Sequence, residues 1–429
     1  MRLEIQKVKI DSIVFGNKSS VCGTQLTIHK DALIEQLKEL PNIKEIQIDI
    51  AMPGEKKRII PVKDVIQPRV KVKGDGKGFP GVTSGIAQMG DGVVKSLDEV
   101  AIVTIGDIVG FQEGIIDMWG EGAKWTPFSK TKNIVVNITP VDDLHPHEHE
   151  ETVRIAGLTA AEIIGEAARD AASSESEVFE LGTIKEETDK YPDLPKVAYV
   201  EMLISQGLLH DGYIYGVNSG QILPTYLHPN EELDHAVISG NCVAACDKIT
   251  TYQHQNNAVI KELYKLHGKE INFIGIVLQP ELTTMDGKLI ATDYTAKICK
   301  QLGADGVIIS EEGYGNPDSD LVMICERLEK AGVKTVLITD ECSGWNGTSQ
   351  PLTDAKEEAV AVISTGNVSF VVELEKADEI LGDPHALANI AGGWDGAYDE
   401  ETGTMKCELN AIIGATSEIG THNATIQLY

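Results

Sequence analysis

The chain has 429 residues, 42% of them hydrophobic, enough for two or three domains with ordinary cores. Its formal net charge of −29, from 66 acidic against 37 basic side chains, argues against nucleic acid and anionic membrane surfaces as partners. Seven cysteines, an odd number spread from Cys22 to Cys407, form no disulfide framework, Met1 to Ile10 has no signal-peptide core, and the longest apolar window, Val100 to Phe111, is broken by Gly106 and Asp107, so a cytoplasmic protein without a membrane span is expected.

Residues 1–171 read as a β-rich N-terminal domain ending in a long helix. Strands are predicted at Leu3 to Ile5, Val8 to Ile10, Ile46 to Ile50, Val70 to Val72 and Ile134 to Ile138, with one helix between them that Asp31 caps and that carries Leu33, Ile34, Leu37 and Leu40 on one face. The long helix is predicted at about 148–172, its buried stripe running Val153, Ala156, Ala160, Ile163, Ile164 and Ala167. Residues 172–195, rich in Ser, Glu, Lys and Pro, read as a linker.

From 196 to 429 the period changes to short apolar strands alternating with amphipathic helices. Strands are predicted at Lys196 to Ile204, Ile271 to Leu278, Val307 to Ser310, Thr335 to Thr339, Val360 to Ser364 and Phe370 to Leu374; helices at 257–267, 292–302, 318–331 and 353–359. The fold class is therefore α/β, a mostly-β N-terminal region followed by a parallel sheet wrapped by helices. Open parallel sheets bind ligands beyond the carboxyl ends of their strands, and here those ends read Ser310-Glu311-Glu312-Gly313, Asp340-Glu341 and Thr365-Gly366-Asn367.

One segment carries unusual chemistry. In Ile238 to Cys246 a thiol, Cys242, directly follows Asn241, and Gly240 leaves the approach uncrowded. A cysteine there is placed to attack the carbonyl of its own preceding peptide bond and form a thioester. Elimination then turns Cys242 through dehydroalanine into a pyruvoyl cap, a ketone that no ordinary side chain supplies. The bland alternative is that Cys242 and Cys246 are small buried thiols under a turn; their Cys-x3-Cys spacing fits neither a zinc ribbon nor a thioredoxin-like pair. His145, His147 and His149 offer a second choice between a transition-metal cluster and a charged helix start, and no metal ligand is assigned. Gly76 to Gly81 matches the dinucleotide fingerprint by letter, but Pro80 and Gly85 oppose the helix that should follow.

The whole chain resembles the proprotein of the substrate-binding component of the glycine, sarcosine and betaine reductases. The resemblance rests on Met1 to Glu4, Ile60 to Val65, Val109 to Met118, Thr126 to Ser129, His147 to Glu150, Gln206 to Asp211, the Asn241-Cys242 region, Val307 to Gly313, Ala391 to Gly396 and Gly414 to Thr416. It implies autocatalytic cleavage between Asn241 and Cys242, giving fragments 1–241 and 242–429, and a pyruvoyl group derived from Cys242. It also implies condensation of the amino group of glycine or sarcosine with that ketone, then displacement of nitrogen by a selenolate. The partners implied are a selenocysteine-containing companion subunit, a small selenoprotein carrier and, indirectly, a thioredoxin system. Within this reading Glu311 and Glu312 are the candidates for proton transfer, and His210 for the base that activates Cys242.

Betaine has no N–H with which to condense, and an aromatic cage drawn from Trp119, Trp125 and Trp394 would suit its cation. The substrate carboxylate must find a local cation or donor cluster, with Arg58, Arg69, Arg154, Arg169, Arg327 or a set of backbone amides as the choices. Two rival readings are an uncut, non-catalytic scaffold that docks selenoprotein partners, and a pyruvoyl decarboxylase.

Overall fold

In the computed structural model, which describes residues 1–109, 114–205, 212–240 and 249–420, the first part of the chain forms two four-stranded sheets. One runs in the order Glu175–Glu180, Arg2–Lys9, Gly92–Asp98, Arg69–Lys73; the other runs Ile43–Ala51, Lys132–Pro140, Val100–Ile105, Val62–Ile66. The two strands expected within residues 3–10 are a single strand, Arg2–Lys9. Residues 172–195, read as a linker, contain the strand Glu175–Glu180, antiparallel to Arg2–Lys9, and a helix, Ile184–Lys190, capped by Thr183 and Glu186.

The long helix spans Pro146–Glu166 and lays Val153, Ala156, Ala160 and Ile164 into a core with Ile102, Ile134 and Val136. His145 is its N-cap and forms a capping box with Glu148, which is the helix-start role of that histidine run. The rings of His145 and His147 stack in solvent while His149 turns inward, where burial holds its pKa below the usual range. Two glycines let this helix approach the sheets. A Cβ on Gly157 would sit 2.2 Å from the Thr104 Cγ2, and one on Gly165 2.2 Å from the Arg69 carbonyl oxygen.

The second part is a six-stranded sheet in the order Thr225–Leu227, Asn272–Glu281, Lys196–Ile204, Gly306–Ser310, Lys334–Glu341, Val362–Asn367. Every pairing is parallel except that of the short edge strand Thr225–Leu227. Taken in chain order the five parallel strands lie 2-1-3-4-5, a doubly wound arrangement whose direction reverses beside Lys196–Ile204. The alternation of a strand sorts its residues: Ala198, Val200 and Met202 face the helices Met285–Gln301 and Asn316–Lys330, whereas Tyr199 and Leu203 face the helix Ala258–Leu266. That second face also receives Leu3, Ile5, Val94 and Phe179, so one of the N-terminal sheets and the parallel sheet share a core.

The expected helix at 353–359 is absent. Thr353 bonds instead to the start of the helix Asn316–Lys330, its amide donating to Asp318 and its hydroxyl to the Gly315 carbonyl at 2.6 Å, which holds the segment against a neighbour's N-terminus. Beyond it the strand Glu379–Gly382 returns to pair with Lys57–Ile60. There Arg58 and Asp117, both fully buried, form a two-pronged ion pair at 2.6 and 2.9 Å, and Arg58 also donates to the Glu375 carbonyl.

Replacing Gly165 by alanine adds a good helix former, which by propensity alone would stabilise by about 1 kcal/mol. Because the new Cβ meets backbone and not a yielding side chain, we expect the opposite sign, a loss of about 1–3 kcal/mol in urea-unfolding stability. A gain in stability for Gly165→Ala would contradict the close helix–sheet approach.

Candidate functional site

Three of the five parallel strands end on or just before acidic residues. Glu281 closes one strand, Glu311 and Glu312 follow Gly306–Ser310, and Asp340 and Glu341 close another. Glu281, Glu311, Glu312 and Asp340 are all buried. Burial raises the pKa of Glu281 well above the carboxylate range, with Glu312 and Asp320 adding to it; burial and then Asp318 do the same for Glu311. Both groups are pushed toward the neutral acid, the form that gives up a proton. One Glu311 oxygen, Oε2, accepts the Thr339 hydroxyl at 2.6 Å.

Glu312 is used differently. Its Oε2 accepts the Ile204 amide at 2.8 Å and its Oε1 the Ile249 amide at 2.9 Å, while its own amide donates to Glu281 at 3.1 Å. It therefore ties the end of the central strand to the backbone just after residue 248. The expected processing residues Asn241 and Cys242, and His210, lie outside the described residues. Their flanks are described and are pinned. The Ser239 amide donates to the Thr251 hydroxyl at 3.0 Å, and Thr251 in turn donates to Asp64 through its hydroxyl at 2.6 Å and its amide at 3.0 Å. The residues flanking 241–248 are thus joined through one hydroxyl, itself held by one buried carboxylate from the N-terminal sheet.

Beside these flanks lies a second group that sequence reasoning missed. Glu201 on the central strand, Glu232 on the short helix Pro229–Leu233 and His254 on the short helix Thr251–Gln255 come together with none of the three more than 1% exposed. His254 Nδ1 is 3.0 Å from Glu201 Oε1 and 3.6 Å from Glu232 Oε1. Burial alone would lower the His254 pKa, but the two carboxylates outweigh it and the net value is pushed up to about 10. Glu201 moves well above the carboxylate range, through burial and then the neighbouring Glu232. The signal available in the sequence was an acid at position 201 inside the otherwise apolar run from Val197 to Ile204.

Arg69 holds the two short helices. Its guanidinium donates to the Leu233 carbonyl at 2.7 Å, the Gln255 carbonyl at 2.9 Å, Gln67 at 2.8 Å and Asn256 at 3.1 Å. The other arginines are likewise engaged within the chain: Arg58 with Asp117, Arg154 with Glu150, Arg169 with Glu166, and Arg327 with the Met323 carbonyl. Each of the three tryptophans has a ring or cation neighbour of its own, and Trp125 and Trp394 pack against the same buried cluster. Trp119 lies under Arg58 at 5.6 Å, Trp125 against Phe370 at 5.9 Å and Trp394 against Trp345 at 5.5 Å. A cleft of about 570 Å³ between the first sheet and the helix Ala258–Leu266 is lined by Lys7, Glu177, Tyr252 and Lys261, the last with its pKa lowered by burial to about 8; neither Glu311 nor Glu312 lines it.

A doubly wound sheet with ionisable residues crowded at its strand ends has its polar groups where open parallel sheets bind ligands. The family model for glycine/sarcosine/betaine reductase component B subunits matches residues 1–427, and the chain belongs to that family. It is 50% identical over 420 residues, 98% of each chain, to the glycine reductase complex component B subunits alpha and beta of Peptoclostridium acidaminophilum. It is 45% identical over 429 residues, the whole of each chain, to the sarcosine reductase complex component B subunit alpha of the same organism. A more distant relative is the D-proline reductase proprotein PrdA of Acetoanaerobium sticklandii, 23% identical over 355 residues covering 78% of this chain and 54% of that one. No solved structure matches. The chain is a component B polypeptide of a reductase.

His228 caps the helix that carries Glu232. Its Nδ1 accepts the Asn230 amide at 3.2 Å, which puts the proton on Nε2, 3.3 Å from the Leu181 carbonyl. Burial lowers its pKa to about 4. Between about pH 6.5 and 4 the unfolded chain then binds the extra proton, so this contribution is complete above that window and is lost as pH falls through it, about 3 kcal/mol in all. Denaturant titrations of wild type and His228→Asn at pH 7 and pH 4 should show a smaller acid loss in the variant; equal losses would refute the assignment.

Proposed function

We propose that this chain is the proprotein of a pyruvoyl-bearing, substrate-binding subunit of a selenium-dependent reductase that cleaves the C–N bond of glycine, sarcosine or betaine and releases the amine. Family membership supports the reductase role, and a relative named as a proprotein supports processing. The structural observation that carries the reading is the pinning of the residues that flank 241–248 by Thr251, Asp64 and Glu312 at the carboxyl end of the parallel sheet.

In this reading His210 takes the Cys242 thiol proton, and the sulfur attacks the Asn241 carbonyl, forming a C–S bond as the peptide C–N bond breaks. Elimination cleaves the Cβ–S bond of residue 242 and leaves the sulfur on Asn241 as a thioacid, which water converts to a carboxylate and sulfide. The dehydroalanine left at 242 tautomerises, and water replaces its nitrogen as ammonia. The pyruvoyl group so made supplies an electrophilic ketone that activates the substrate nitrogen as a leaving group.

Glu311, held toward its neutral form, delivers a proton to the departing amine, while Glu312 positions the segment through Ile249. The chain has no selenocysteine, so the reducing selenolate comes from a companion subunit and a small selenoprotein carrier, with thioredoxin supplying electrons in the cytoplasm.

Intact-mass measurement of protein purified from its native host should give two polypeptides, residues 1–241 and 242–429, the second carrying CH3–CO–CO in place of its N-terminal cysteine. One unprocessed species in active enzyme would leave the uncut scaffold as the correct reading. Glu312→Gln puts an amide where two backbone N–H groups need an acceptor, and should slow self-cleavage by about ten- to a hundredfold with unchanged far-UV circular dichroism. Cleavage at the wild-type rate would remove Glu312 from maturation.

A further inference from the structure

The cluster of Glu201, Glu232 and His254 is used by none of the steps above, and its geometry is specific. Asn257 determines which oxygens are available. As N-cap of the helix Ala258–Leu266 it accepts the Ile260 amide on Oδ1 at 3.1 Å, so its NH2 must face the carboxylates; it donates to Glu201 Oε2 at 3.2 Å and to Glu232 Oε1 at 2.8 Å. That leaves Glu201 Oε1, Glu232 Oε2 and His254 Nδ1 buried without a well-formed hydrogen bond, although Nδ1 and Glu201 Oε1 lie 3.0 Å apart, within ion-pair reach. Buried polar atoms without such a bond are rare in native proteins, and three side by side call for an explanation. Among the described residues no lysine or arginine bonds to either carboxylate.

We propose that Glu201, Glu232 and His254 bind one divalent cation of the zinc, manganese or iron(II) type, with Asn257 orienting both carboxylates from behind. The three residues each offer a ligand atom within 4.8 Å of the others, and Nδ1 stands 3.0 Å from Glu201 Oε1 and 3.6 Å from Glu232 Oε1, the oxygen that Asn257 also holds. Metal–ligand bonds of about 2.0–2.2 Å place neighbouring ligands about 3.0–3.5 Å apart in octahedral or tetrahedral geometry, which those separations bracket. One imidazole and two carboxylates suit first-row transition ions; calcium takes about six to eight oxygens, and magnesium keeps most of its water. The charge also balances, since a dication cancels two buried carboxylates and leaves the imidazole neutral. The ion would join the central strand to the two short helices and to the cap of a third, with His254 three residues beyond the Thr251 that bonds Ser239. The assignment does not depend on cleavage at Asn241.

The test is metal content of the full-length protein by inductively coupled plasma mass spectrometry, as purified and after chelation followed by one equivalent of zinc, manganese or anaerobic iron(II). We expect about one ion per chain, a higher melting temperature when loaded, and at least about a tenfold weaker affinity in Glu232→Gln and His254→Gln. Cobalt(II) loading of the wild type should give a visible d–d spectrum whose position reports the nitrogen–oxygen ligand set, which keeps the test valid if a variant misfolds. The proposal is overturned if the wild type binds none of these ions, if both variants retain them, or if nitrogen NMR of the loaded protein shows both His254 ring nitrogens protonated, the signature of an imidazolium held between the carboxylates.

Discussion

The guanidinium of Arg69 is the contact on which the arrangement of the site depends. It sits on a strand of the first sheet and donates to the last carbonyls of two helices of five residues each, Pro229–Leu233 and Thr251–Gln255. Helices this short have no stability of their own in water, so their position is set by what they are tied to. Burial lowers the Arg69 pKa to about 10, yet its planar fork of donors is met on several sides, which is what makes a buried guanidinium tolerable. The residues immediately before the bonded carbonyls are Glu232 and His254. The N-terminal sheet thus positions chemistry that belongs, by chain order, to the parallel sheet.

Much of the second half was legible because a buried parallel strand is a short apolar run and little else resembles it. Lys196–Ile204 was placed with its ends in register, and the helices at 258–266, 285–301 and 316–330 were found from their periodicity, though the second starts seven residues earlier than the 292 expected. The misassigned helix at 353–359 failed because Thr353 satisfies its donors on another element, a tertiary choice that no local window contains. Residues 172–195 looked like a linker because an edge strand facing water, such as Glu175–Glu180, needs few apolar side chains.

The site was legible in part. Glu311 and Glu312 were singled out because acids at strand ends lie where open parallel sheets bind ligands. That Glu312 holds two backbone amides, one of them belonging to Ile249, follows only from the fold. Glu201, Glu232 and His254 lie on three separate elements, and a single chain carries no record of their proximity. The strongly negative composition also reads differently once buried groups are separated from exposed ones, because burial pushes Glu201, Glu281 and Glu311 toward their neutral forms.

The strand order has a topological outcome. A break anywhere in residues 241–248 assigns Thr225–Leu227 and Lys196–Ile204 to the upstream piece and Asn272–Glu281 and Gly306–Ser310 to the downstream one. In the sheet these alternate, upstream, downstream, upstream, downstream, so three adjacent ladders join one product to the other. Pulling the two polypeptides apart would mean stripping several rows of hydrogen bonds and splitting a common interior. A nick there converts one molecule into an interleaved heterodimer whose parallel sheet neither piece carries alone.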